Sequence, residues 1–171
     1  MDLYNIQQLY GKEHANLLNN TGKYIEHKDL FQCSKGILVQ ASGIFDMLHI
    51  GHVTFLEQAA LFGDKLIVSI NSDASAKKYK GDSRPYFNAV QRAYLLCALQ
   101  CVDYVTIFEE DDPSEIISLI KPDIYVKGFD TIIDSNTPEL RTLFKTSALR
   151  LTSEETDLCH TTDIVEKIKN G

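Results

Sequence analysis

The sequence predicts an α/β protein, a Rossmann-like doubly wound parallel sheet of about five strands with an N-terminal helical extension. Three observations point to it. From Gly36 onward, short apolar runs alternate with segments of helical periodicity, the pattern of a parallel sheet with crossover helices. The apolar runs are continuous, as expected of strands covered on both faces. Glycines, prolines and capping residues punctuate the junctions.

The elements follow in order. Leu3, Ile6, Tyr10 and then Leu17 suggest one or two amphipathic helices separated around Gly11, packing on the domain or on a second subunit. "GILVQA" (Gly36 to Ala41) reads as the first strand. A helix is expected over Gly51 to Phe62, with Val53, Leu56 and Ala60 at core spacing and Gly63 as its stop. "KLIVSI" (Lys65 to Ile70) is the second strand, and Asn71, Ser72 and Asp73 offer caps for a short helix. Asn88 and Gln91 form a capping-box pair before a helix whose core stripe is Val90, Ala93 and Cys97, which sets Arg92 off that stripe. "VDYVTIF" (Val102 to Phe108) is the third strand, "DPSE" (Asp112 to Glu115) starts the next helix, and "DIYVKG" (Asp123 to Gly128) is the fourth strand. "SALRL" (Ser147 to Leu151) is read as the fifth, and Thr161 or Thr162 as the cap of a terminal helix carrying Ile164, Val165 and Ile168.

A chain of 171 residues, 44% of them hydrophobic, suffices for one domain with a proper core and is too short for two ordinary ones. The expected organisation is an extension over 1–35 and a single domain over 36–171. A formal net charge of −7 argues against a nucleic-acid partner, whose phosphates call for a broad cationic surface. No apolar stretch approaches the length of a membrane span and the first residues do not resemble a signal peptide, so no membrane partner and a cytoplasmic location are expected. Cys33, Cys97, Cys101 and Cys159 contain no CxxC pair and are read as reduced thiols. Cys97, Cys101 and His160 lack the spacing of a zinc set, so no protein metal site is expected.

In an open parallel sheet, ligands collect at the carboxyl ends of the strands near the switch point. "GIFDMLHIGH" (Gly43 to His52) lies there, after the first strand. Gly43 would let a ligand approach the backbone, and Gly51 would open a helix whose amides and dipole favour an anion. His49 and His52, three apart, share a side once the helix turn has begun, and two imidazoles there can donate to phosphate oxygens. Core packing and metal ligation are the alternative readings of this pair. A second cluster, "KKYKGDSRP", places Lys77, Lys78, Lys80 and Arg84 after the second strand, the densest cationic patch of an acidic chain. The acidic run Glu109 to Asp112 is read as a solvated loop with Asp112 as helix cap.

"HIGH" also occurs in class I aminoacyl-tRNA synthetases, but this chain is short and acidic and has no lysine-rich second signature. "GIFDMLHIGHVTFLEQAALFGDKLIVSINSDASAKKYKGDSRP", with "QRAYLLCALQCVDYV", "FEEDDP" and "KPDIYVKGFD", resembles the cytidylyltransferase-like branch of the nucleotidyltransferases. Within that branch it looks most like the adenylyltransferase domains that act on heptose 1-phosphate. "CHTTDIVEKI" (Cys159 to Ile168) resembles the family's closing phosphate-binding signature.

The resemblance implies transfer of a nucleoside monophosphate from an NTP, ATP favoured, to a small phosphorylated acceptor such as heptose 1-phosphate. It implies that Gly43, Ile44, Phe45 and Gly51 lie along the nucleotide, that His49 and His52 contact its phosphates, and that Lys80 reaches the triphosphate or the acceptor phosphate. It further implies Arg92 in the nucleotide site, Lys127, Gly128 and Asp130 at the base or sugar, and Thr161 and Thr162 at the β- and γ-phosphates. Asp46 is expected to orient the loop, and Lys78 and Arg84 to hold the acceptor phosphate. Mg²⁺ would be held mainly by nucleotide phosphates, and a homodimer is the expected assembly. Three residues depart from the family pattern: Phe129 at the second glycine of "KGGD", Thr131 at the tyrosine that commonly follows it, and His160 at the first serine of the closing signature. Cytidylyl transfer to glycerol 3-phosphate or a related alcohol phosphate, and nucleotide binding without catalysis, are the competing readings.

Overall fold

The computed structural model describes residues 1–33, 36–128, 148–151 and 161–170. Phe129, Asp130, Thr131, Cys159 and His160 lie outside the described residues. Among the described residues, five strands form one parallel sheet: β1 (Leu38–Gly43), β2 (Lys65–Asn71), β3 (Tyr104–Phe108), β4 (Ile124–Lys127) and β5 (Ala148–Leu151). Their order is β3-β2-β1-β4-β5. The chain steps outward from β1 to β3, then returns to lay β4 on the other side of β1. That reversal opens a crevice at the carboxyl ends of β1 and β4, where a doubly wound sheet binds its ligands.

The helices are α1 (Leu3–Tyr10), α2 (Lys12–Asn19), α3 (Ile50–Ala60), α4 (Asp73–Lys80), α5 (Ala89–Cys97), α6 (Ser114–Ile120) and α7 (Thr161–Asn170), with a 3-10 segment at His27–Cys33. On one face of the sheet, Val39, Ala41, Val68, Ile70, Val105 and Ile107 pack with Leu56 and Ala59 of α3 and Val90, Ala93 and Leu96 of α5. Ile6 of α1 and Leu18 of α2, both fully buried, belong to the same cluster, so the N-terminal helices share the core of the sheet. On the other face, Leu38, Ile67 and Phe108 meet Ile116 and Ile120 of α6 together with Ile25 and Leu30. The segment after α2 also touches the sheet edge: the Ile25 amide donates to Val105 O at 2.9 Å and the Val105 amide to Lys23 O at 3.0 Å.

Local chemistry accounts for the helix starts. Ser72 accepts from the Ser75 amide to begin α4, and Asn88 and Gln91 make the reciprocal capping box of α5; ahead of α6 the N-cap is Pro113 rather than Asp112, whose carboxylate accepts from the Ser114 amide at 2.9 Å in an Asx turn. Strand ends are set by neighbours. The Ile37 amide donates to the Asp64 carboxylate and Ile37 O accepts from the Asp64 and Lys65 amides, so the regular ladder starts at Leu38 paired with Lys65. It runs on through Ser42 and Gly43, two residues beyond the run read from sequence. The third strand starts at Tyr104, because the Asp103 carboxylate turns aside to accept from the Leu66 amide and Lys65.

Two expectations are corrected. Arg92, placed off the core stripe of its helix, has only 1% of its surface exposed. Gly63 is not a left-handed helix cap: α3 ends at Leu61 in right-handed geometry, and the Gly63 amide reaches Ala60 O only at 3.5 Å. Its importance is close approach, since a Cβ there would meet Ile37 O and Val39 Cγ2 at 2.6 Å each. Among the described residues no helix is long and apolar enough to cross a membrane.

Gly63→Ala should therefore lose about 1–3 kcal/mol of stability through overpacking of α3 on β1. Urea denaturation reads this directly; a midpoint equal to that of the unaltered protein would contradict the packing account.

Candidate functional site

A cleft of about 380 Å³ lies at the carboxyl end of β1, bounded by Ser42 and Gly43, the loop to α3, Gly128 after β4, and the N-terminus of α7. Its size suits a small-molecule ligand. Its loop is strained: Phe45 and Met47 both have φ of +51°, a left-handed conformation unfavourable for bulky side chains. What holds this shape is Asp46 between them. Its carboxylate accepts from the Tyr86 amide at 2.9 Å, the Phe87 amide at 3.1 Å and Arg84 Nη1 at 2.9 Å. Its carbonyl accepts from the Thr161 hydroxyl of α7, also at 2.9 Å. Asp46 thus ties together three segments distant in sequence. Burial by itself would raise its carboxyl pKa, but the two amides and the Arg84 guanidinium outweigh burial and hold it below the ordinary value.

α3 begins directly after this loop, with His49 at its N-cap and Gly51 buried in its first turn. The helical turn brings the His49 and His52 rings into a stack, centroids 3.7 Å apart and planes 24° from parallel. Phe45 meets His52 edge-on at 5.3 Å and stacks on Phe55 at 6.4 Å, so the loop's aromatic ring buttresses the second imidazole. A Cβ on Gly43 would meet the Phe45 ring at 3.0 Å; the bare backbone there makes room for this ring. Amides of two helix N-termini, α3 and α7, border the same cleft, and both dipoles favour an anion.

Of the residues singled out from sequence, Gly43, Ile44, Phe45, Asp46, His49, Gly51, His52, Lys80, Arg84, Gly128, Thr161 and Thr162 all line this cleft. Arg84 does so with its guanidinium paired to Asp46 and stacked 4.2 Å from the Tyr86 ring centroid. The Thr161 hydroxyl proton is engaged by Asp46 O, which leaves the helix amides for a bound anion. Lys127 ends β4 and does not line the cleft. Asp130 lies outside the described residues.

Two assignments change. Lys78 points away, pairing with Asp111 at 2.7 Å on an exposed surface. Residues two apart on a helix face different directions, so Lys80 reaches the cleft and Lys78 cannot. Arg92 does not line the cleft either: Nη1 donates to Ile44 O at 2.7 Å, Nε to Phe87 O at 2.9 Å, and Nη2 to Asn71 O at 2.9 Å and Asp73 at 2.8 Å. Its charge serves the protein backbone rather than a ligand. Sequence reasoning missed Phe55 and Ser42 as lining residues and the Tyr86 and Phe87 amides as the anchors of Asp46. Phe55 was within reach, since it lies three residues after His52 on the same helix; backbone amides leave no mark in a sequence.

Among the described residues no group of three or more His, Cys, Asp or Glu is arranged to hold a metal. Cys97 and Cys101 are free thiols, both pushed above the ordinary thiol value by burial.

A family model described as Cytidylyltransferase-like matches residues 41–167. The Bifunctional protein HldE of a Nitratiruptor species is 56% identical over 103 residues, 60% of this chain and 22% of that protein. Its counterpart in Helicobacter pylori (strain P12) is 45% identical over 132 residues, 77% of this chain and 28% of that protein. The chain thus spans about a quarter of the length of these curated relatives. Among solved structures, the lipopolysaccharide core biosynthesis protein from Thermoplasma volcanium GSS1 superposes with a TM-score of 0.60 at 28% identity, over 70% of this chain and 98% of that one.

The Asp46 knot has a pH signature. Because folding depresses this carboxyl, its stabilisation is complete above the ordinary value of 3.8 and is lost as pH falls through the lower value of the folded state. Asp46→Asn should be less stable than the unaltered protein by about 3 kcal/mol at neutral pH, and the gap should close under acid. Denaturation at pH 7 and below pH 3.8 tests this; a gap unchanged by pH would sink the assignment.

Proposed function

The chain belongs to the cytidylyltransferase-like family of nucleotidyltransferases, and from that premise we propose that it transfers an adenylyl group from ATP to a sugar phosphate of the heptose 1-phosphate class. The observation that carries the reading is the stacked His49–His52 pair at the head of α3, in one cleft with Lys80, Arg84 and the head of α7. Every one of these features favours a polyphosphate, and together they suit a triphosphate whose charge shifts during reaction.

An acceptor phosphate oxygen attacks the α-phosphorus, the bond from that phosphorus to the bridging oxygen breaks in line, and pyrophosphate leaves. The acceptor is already an anion, so no strong base and no covalent protein intermediate are needed; alignment and charge stabilisation carry the rate. His49 and His52 donate to the α/β-phosphate region as charge grows on the bridging oxygen. Lys80 reaches the triphosphate or the acceptor phosphate, and Arg84 presents its remaining N–H groups to the acceptor. The α7 amides at Thr161 and Thr162 hold the far phosphates, and Gly43 to Phe45 lie along the nucleoside. Gly128 is the described residue available to the base or sugar.

Among the described residues the single carboxylate lining the cleft, Asp46, is occupied by Arg84 and two amides. The residues therefore fit a Mg²⁺ carried in by the triphosphate and water. Bound there, it would offset the repulsion between phosphates and entering anion. A sugar acceptor is supported by the resemblance of "GIFDMLHIGH" and "KGDSRP" to the heptose phosphate branch, and by the likeness to a protein of lipopolysaccharide core biosynthesis.

Pyrophosphate release, measured with Mg²⁺ for four nucleoside triphosphates against a panel of sugar and alcohol phosphates, is expected for ATP with a sugar 1-phosphate. Preference for CTP with glycerol 3-phosphate would select cytidylyl transfer instead; nucleotide binding without release from any pair would leave only a binding module. His52→Ala should lower kcat about 10²–10³-fold, the usual cost of one preorganised donor. Near-normal turnover in a folded His52→Ala protein would remove the imidazoles from the mechanism.

A further inference from the structure

Arg92 is a buried cation whose fork gathers three carbonyls: Ile44 from the cleft loop, Asn71 from the end of β2, and Phe87 from the turn whose amides hold Asp46. Asp73, the carboxylate paired with it, accepts from Nη2 through Oδ1 at 2.8 Å. The other oxygen, Oδ2, accepts from the hydroxyl of Tyr10 at 2.9 Å. Tyr10 is the last residue of α1, so this bond reaches from the N-terminal extension, across 63 positions of sequence, to the counter-ion of the buried arginine that holds the cleft loop from behind.

We propose that Tyr10 is a positioning residue for the nucleotide-facing loop, acting through Asp73 and Arg92 on the Ile44 carbonyl. The proposal rests on the nucleotidyltransferase reading of the cleft for its functional consequence, though not for the mechanical one.

The chemistry requires an oriented carboxylate. Asp73 keeps a quarter of its side chain exposed, while Arg92 has none. A carboxylate free to rotate would exchange Arg92 for water, and Arg92 would tilt about its remaining bonds. The phenol prevents this by holding the far oxygen. Burial, and then the Asp73 charge, push the Tyr10 pKa above its ordinary value, so the phenol stays protonated and donating across the physiological range. α1 is in turn fixed by Ile6, fully buried in the main core. Packing of the extension is thereby transmitted as hydrogen-bond direction to the backbone that lines the cleft. Loss of the phenol hydroxyl leaves the aromatic packing in place and removes only that direction.

The test compares Tyr10→Phe with the unaltered chain and with Tyr4→Phe, a control at a tyrosine 69% exposed on the same helix. Amide exchange of the unliganded proteins, read by NMR, should quicken in Tyr10→Phe at residues 44–46 and stay unchanged in the β2 amides. Affinity for a non-hydrolysable ATP analogue, read by calorimetry, should weaken about three- to tenfold, the net scale of one ordinary hydrogen bond. KM for ATP should rise by the same factor with kcat little changed. A purely structural tyrosine would lower the melting temperature alone. Exchange at 44–46 equal to that of the unaltered chain, or faster exchange with undiminished affinity, overturns the proposal. If the unaltered chain binds no nucleotide, the functional reading fails, while quickened exchange confined to 44–46 still upholds the positioning role.

Discussion

A buried carboxylate between two left-handed residues is the constraint on which the cleft depends. Phe45 and Met47 occupy backbone conformations that cost roughly 1–3 kcal/mol each and persist only where surroundings over-determine them. Asp46 supplies that over-determination through its four contacts, two to backbone amides, one to a guanidinium and one to a hydroxyl. Arg92 works as its opposite in charge, collecting carbonyls where Asp46 collects amides. Phe87 belongs to both, donating its N–H to Asp46 and accepting from Arg92 at its carbonyl. The loop is therefore clamped from two sides by buried ions of opposite sign, and the histidines inherit their placement from it.

This arrangement gives much of the cleft lining to groups that carry no fixed charge. Imidazoles and helix amides can donate to an anion as neutral dipoles, whereas Arg84 already shares its charge with Asp46. The division is physical: the paired charges of Asp46, Arg84 and Arg92 build the frame, while the imidazoles, the helix N-termini and the Lys80 ammonium line the cleft beside it. In such a site the donors are preorganised, which is where electrostatic catalysis gains most.

The architecture was legible because parallel strands leave continuous apolar runs and helices leave caps. Asn88 with Gln91, and Asp112 ahead of Pro113, announced their helices by side-chain chemistry alone. Strand ends were less legible because they depend on partners; nothing in "GILVQA" says that the ladder extends to Gly43. Half of the cleft residues could be found because they cluster in one short stretch, from Gly43 to His52, that falls after the first strand. Arg92 was misread for a general reason. A charged residue is ordinarily assigned to the surface, and its burial here is set by carbonyls from residues 44, 71 and 87, which no local pattern brings together. Lys78 and Lys80 were indistinguishable as members of one basic run until the helix separated their directions.

The short pairing of residues 23–25 with Val105 has a consequence beyond the cleft. β3 stands at the margin of the sheet, and an unpaired margin is a template on which another molecule's strand can add. Here the chain's own N-terminal segment occupies the middle of that margin, with the Ile25 and Val105 amides both satisfied. The segment follows directly on α2, whose Leu18 is fixed in the core. Docking of the first two helices and protection against edge-to-edge aggregation are thus the same event, and a molecule in which those helices came loose would offer Tyr104–Phe108 to its neighbours.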